Sequence, residues 1–173
     1  MSKIQEILKL NLKPKEKIST LAEEIKKDKK FIGRLIAYFE SASASEQGHL
    51  IESLEYASQD KPEFVAPYFN FVLEHLADKA PRVKWEAARI IANLAEKYAD
   101  KTEKAIPELL KNSSDKGTVV RWSAAFALGE IAKSNSNAQK TLLPKMKELV
   151  MKETNNGVKN VYLKALKVIE KEK

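Results

Sequence analysis

The two histidines of this 173-residue chain, His49 and His75, are 26 residues apart, and no second ligand stands at metal-binding spacing from either. There is no cysteine, which removes thiol nucleophiles, disulfides, thiolate zinc sites and iron–sulfur clusters together. The glycines Gly33, Gly48, Gly117, Gly129 and Gly157 stand singly, so no glycine-rich loop can cradle a phosphate. Carboxylate neighbours such as Glu23 and Glu24 fall on a solvated helical face and have no acid–base partner. The expectation is therefore a protein without catalytic residues, metal, cofactor or small-molecule substrate. The remaining chemistry is recognition. Trp85, Arg89, Trp122 and Phe126 are the residue types that dominate binding hot spots, and Arg82, Arg121 and Lys164 add cations near them. For the two tryptophans the favoured reading is packing between consecutive repeats, and for Arg89 and Phe126 packing and binding stand nearly even.

These residues belong to an internal repeat. Setting Asp78–Leu110 over Asp115–Lys147, an offset of 37, aligns eight identities in 33 positions: the Asp, Lys, Val, Trp, Ala-Ala, Ala and Pro at 78, 79, 83, 85, 87–88, 95 and 107. Chance would give roughly two at this composition. A weaker copy at offset 38 sets Val120, Ala127, Leu128 and Ile131 over Val158, Ala165, Leu166 and Ile169, and upstream Pro67 precedes Pro107 by 40. A period of 37–40 residues with degraded outer copies is the signature of stacked units.

Each period reads as two amphipathic helices. Val83, Ala87, Ile90, Ile91 and Leu94 recur at helical spacing, with breaks at Asp78–Pro81, Asn112–Gly117 and Asn155–Gly157. The predicted pairs are 31–40 with 46–57, 62–77 with 82–98, 103–111 with 119–133, and 140–152 with 158–171, preceded by helices over 2–10 and 15–27. Five glycines and six prolines leave no room for a turn-rich β fold. The expected fold is all-α, an α-α superhelix of about four to five antiparallel helix pairs forming one domain over 1–173. Residues 62–171 carry the clearer repeats and 1–58 a divergent N-terminal part.

The stretch Val120-Arg121-Trp122-Ser123-Ala124-Ala125-Phe126-Ala127-Leu128-Gly129-Glu130-Ile131-Ala132, preceded by Asp115, resembles the second half of a HEAT repeat. Val83–Ala95 resembles it too, with Lys84 where the family usually has arginine. The resemblance implies an armadillo-type α-solenoid whose second helices line the inner surface, and a scaffold or protein-binding module. Ala87, Ala88, Ala124, Ala125 and Gly129 then keep helices close, and Asp78 and Asp115 serve backbone donors or pair with Lys84 and Arg121 along the stack.

The net charge of +7 is uneven: +4 over 1–30, −5 over 31–80 and +8 over 81–173. The leading expectation is a protein or peptide partner on the inner surface. The alternative is nucleic acid, its phosphates meeting Arg82, Lys84, Arg89, Arg121, Lys159, Lys164 and Lys167. HEAT-like DNA glycosylases share the architecture and pair tryptophans with a catalytic Asp. Here no acidic residue follows Trp122 until Glu130 and only Glu86 adjoins Trp85, so that site does not transfer. No apolar run approaches the ~18–20 residues of a membrane span, and the N-terminus lacks a secretory pattern. The expected location is cytoplasmic.

Overall fold

The helix boundaries follow from where backbone donors find partners. The computed structural model describes all 173 residues, and its helices are α1 (Lys3–Lys9), α2 (Pro14–Lys27), α3 (Phe31–Phe39), α4 (Ala44–Asp60), α5 (Pro62–Val65), α6 (Phe69–His75), α7 (Pro81–Leu94), α8 (Ala99–Thr102), α9 (Ile106–Asn112), α10 (Thr118–Ser134), α11 (Ser136–Lys152) and α12 (Asn156–Lys171). Ser2 and Ser43 close capping boxes with Gln5 and Glu46, satisfying donors at both ends of the first turn. Asn135 and Asn155 cap α11 and α12 by accepting from Ala138 and Val158 N–H.

Two expected helices are interrupted. The span predicted as 62–77 is α5, a 3-10 turn at Ala66–Tyr68, then α6. Pro67 is the cause: it has no N–H to give the carbonyl four residues back, and the chain tightens there. The repeat one period on does the same, with a 3-10 turn at Glu103–Ala105 just before Pro107. Pro144 is instead carried inside α11. The second helix of the 62–98 pair ends at Leu94, where the N–H of Ala95 bonds to Ala92 rather than to Ile91.

The chain divides into two compact units, Met1–Phe71 and Val72–Lys173. In the first, α2 packs along α4, with α1 and α3 against them. Its core holds Leu21, Ile25, Phe31, Ile32, Leu35, Leu50, Ile51 and Leu54, all buried. Phe39 meets Phe71 edge-on, ring centroids 5.2 Å apart.

In the second unit the apolar stripes of the repeat fold as their spacing dictates. Val83, Ala87, Ile90, Ile91 and Leu94 of α7 are buried, and so are Val120, Ala124, Ala127, Leu128 and Ile131 of α10. Helix α10 lies between α7 and α12, with α9 and α11 also packed on it. The three second helices of successive repeats are thus neighbours.

Candidate functional site

Helices α7, α10 and α12 all begin with one device. Ahead of each, a carboxylate accepts the backbone N–H two residues on: Asp78 from Ala80 at 2.8 Å, Asp115 from Gly117 at 2.7 Å, and Glu153 from Asn155 at 2.9 Å. Asp115 and Glu153 also take a cation from the preceding repeat. Lys84 Nζ lies 3.1 Å from Asp115 Oδ2, and Arg121 donates from Nε and NH2 to the two oxygens of Glu153 at 3.0 and 3.2 Å. Arg121 NH1 donates to the carbonyls of Asp115 and Lys116. The backbone N–H of Gly117, with Lys84 beside it, holds the Asp115 carboxyl below the usual carboxylate range. At Glu153 burial pushes upward, and the Arg121 guanidinium and the N–H groups of Asn155 and Thr154 outweigh it, so its pKa is lowered too.

Lys84 and Arg121 are therefore rungs of a ladder between repeats. Arg121 takes the carboxylate of Glu153 and only the backbone carbonyl of Asp115. Asn112 adds a further rung, its Nδ2 donating 2.9 Å to the carbonyl of Leu76. Asp78, which has no earlier repeat to draw on in this unit, meets His75 Nδ1 at 2.9 Å. The buried Tyr162 ring lies near the ladder, its hydroxyl without a protein hydrogen-bond partner and its pKa raised by burial and by Glu153.

The remaining expected residues share another face. By the 37- and 38-residue register, Trp85, Trp122 and Asn160 occupy equivalent positions on α7, α10 and α12, as do Arg89, Phe126 and Lys164. Trp85 Nε1 donates 3.1 Å to Glu86 Oε1, and Arg89 NH1 lies 3.7 Å from the same oxygen, which makes a cluster on α7 around a buried carboxylate. Arg82 and Arg89 are both engaged with neighbouring groups. Trp122 is 38% exposed, and its ring stacks on Phe126 with centroids 5.5 Å apart.

Beside that stack runs a groove of about 250 Å³ between α10 and α12, lined by Trp122, Phe126 and Lys133 on one side and Val161, Lys164 and Val168 on the other. Its floor is Gly129 against Ala165, and a Cβ added at Gly129 would stand 2.9 Å from that of Ala165. Lys133 pairs with Glu130 in the groove, whereas no carboxylate pairs with Lys164. The structure brings Trp122, Phe126 and Lys164 together, gathers Trp85, Arg82 and Arg89 on α7, and assigns Arg121 to the ladder. Sequence reasoning missed Glu153, Val161 and Val168. The same offset of 38 would have found them, under Asp115, Ser123 and Glu130.

Residues 54–173 match the model of the Cnd1 family, non-SMC mitotic condensation complex subunit 1. The chain belongs to this family. Its match to Cnd1 covers both clear repeats and the groove. Among solved structures, an engineered protein superposes with a TM-score of 0.73 at 22% identity, covering 96% of this chain and 47% of its own. This chain thus spans about half the length of that relative. A computationally designed armadillo repeat protein for modular peptide recognition gives a TM-score of 0.72 at 20% identity over 95% of this chain and 80% of its own. A designed armadillo repeat protein in complex with the peptide (KR)4 gives 0.68 at 18% identity, with the same two coverages of 95% and 80%. No curated protein matches. The fold is accordingly an armadillo/HEAT-type α-solenoid, and the proteins it resembles are repeat scaffolds. No helix is long and apolar enough to cross a membrane.

Proposed function

We propose that this Cnd1-family chain is a non-catalytic docking module that holds a segment of a partner protein on the α7–α10–α12 face, which corresponds to the inner surface of a HEAT array, and that it works in the cytoplasm. The observation that carries the reading is the groove between α10 and α12. A stacked aromatic pair, Trp122 exposed and Phe126 half-buried, with two valines and a glycine–alanine floor, leaves apolar surface open inside a polar rim. Large aromatic side chains at the mouth of a groove are the kind that anchor partners. The peptide-recognition purpose of one structural neighbour and the peptide complex of another support a segment as the occupant.

The test compares pulldowns with the tagged full chain and with its Trp122→Ala/Phe126→Ala variant, identified by mass spectrometry at native salt. A partner recovered by the first and lost by the second, with helicity by circular dichroism unchanged, is the expected result. Identical recovery by both proteins would refute the groove as the site.

A further inference from the structure

The two units differ in charge as sharply as two separate proteins. Residues 1–71 hold eleven basic and eleven acidic side chains, and residues 72–173 hold twenty basic and thirteen acidic ones. The second unit therefore carries the whole excess of +7. The groove belongs to that unit. Among its twenty basic side chains, several lie against carboxylates, Lys84 at Asp115, Arg121 at Glu153, Lys133 at Glu130, Lys147 at Glu170 and Lys152 at Glu148, the last two pairs exposed to solvent. Lys164 is exposed on the groove wall, next to Val161 and Val168, and has no such partner.

We infer that the occupant of the groove is a net-acidic peptide segment with an apolar anchor side chain, the anchor filling the space between Trp122, Phe126, Val161 and Val168 and a flanking carboxylate meeting Lys164. This rests on the docking reading above and adds the sign of the partner's charge. Opposite net charge speeds encounter and rejects wrong partners, and an unpaired lysine at the mouth of an apolar groove fixes register. A nucleic-acid strand fits the same surface less well. It needs cations at each phosphate along a track, whereas the groove lining holds two cations, Lys133 and Lys164, and the first is paired with Glu130. The aromatic rings are also stacked on each other rather than spaced to receive bases.

A phage library of random dodecapeptides panned on the 173-residue chain tests this, with the Trp122→Ala/Phe126→Ala and Lys164→Glu variants panned in parallel. Enriched peptides should combine net negative charge with at least one aromatic or large aliphatic residue. Their synthetic forms, titrated into a Trp85→Phe variant whose sole tryptophan is Trp122, should shift its fluorescence, and affinity should fall as salt rises. Lys164→Glu, a surface change that leaves packing intact, should weaken them by about tenfold. Enrichment of neutral or basic peptides that still need Trp122 would overturn the charge inference and leave the docking reading standing. Enrichment indifferent to Trp122 and Phe126, or none, would overturn both. A fluorescein-labelled oligothymidylate that competes with the acidic peptides and is lost on Trp122→Ala would replace the peptide with a nucleic acid.

Discussion

Replacing Glu153 with Ala removes two charge-assisted bonds from the Arg121 guanidinium, at 3.0 and 3.2 Å, and the acceptor of the Asn155 N–H at 2.9 Å. The side chains concerned are mostly enclosed, 18% exposed for Arg121 and 7% for Glu153. Breaking a fully buried pair costs about 3–5 kcal/mol because a charge is left without its partner. Arg121 keeps two carbonyl acceptors and some solvent, which brings the expected loss to about 2–3 kcal/mol. Urea unfolding followed by circular dichroism at neutral pH measures it. The double variant Arg121→Met/Glu153→Met should lose less than Glu153→Ala alone, since no buried charge is stranded. The pH dependence has a definite sign. Folding lowers the pKa of both Glu153 and Asp115, so their contribution is present above the ordinary carboxylate pKa values, 4.5 and 3.8, and is lost as pH falls below them through the folded-state values. Glu153→Gln should flatten part of that acid limb. A Glu153→Ala protein within about 0.5 kcal/mol of the original, the range of ordinary surface changes, would refute the ladder as a stabilising connection between repeats.

Gly129→Ala should destabilise although alanine is the better helix former. The gain of about 1 kcal/mol in propensity is opposed by an overpacking cost of about 1–3 kcal/mol, because the new methyl stands 2.9 Å from the Ala165 Cβ. Pairing it with Ala165→Gly should restore most of the loss in thermal melts. Tyr162→Phe deletes a buried hydroxyl that no protein group satisfies, and denaturant melts should show stability unchanged or raised by up to about 1 kcal/mol.

The recognition of a repeat was the step that made the fold legible. Apolar spacing in Val83–Leu94 and its copy located the buried stripes, and turn residues at 112–117 and 155–157 located the breaks. Helices were interrupted where proline acts on the backbone, at Pro67 and ahead of Pro107, and other bounds moved where capping groups decide the ends, as at Asn135, which starts α11 four residues before the predicted 140. The site was half legible. Residue type singled out Trp122 and Phe126, and the register put Lys164 beside them, but the same reasoning left Arg121 between a binding partner and Asp115, whereas it pairs with Glu153. An arginine offers identical donors to a phosphate and to a carboxylate, and the competing carboxylate, Glu153, is 32 residues away along the chain.

By itself the sequence determined that the chain is built of helix pairs repeating every 37 to 40 residues, because helical periodicity and breaker residues are local properties that survive duplication. It also determined which side chains of each helix are apolar. Only the tertiary structure decided which cations are spent between repeats and which one, Lys164, stands free at a groove, because that depends on which helices become neighbours. Gly129 set against Ala165 brings α10 and α12 close enough to make the groove's floor, and no pattern within either helix contains that distance.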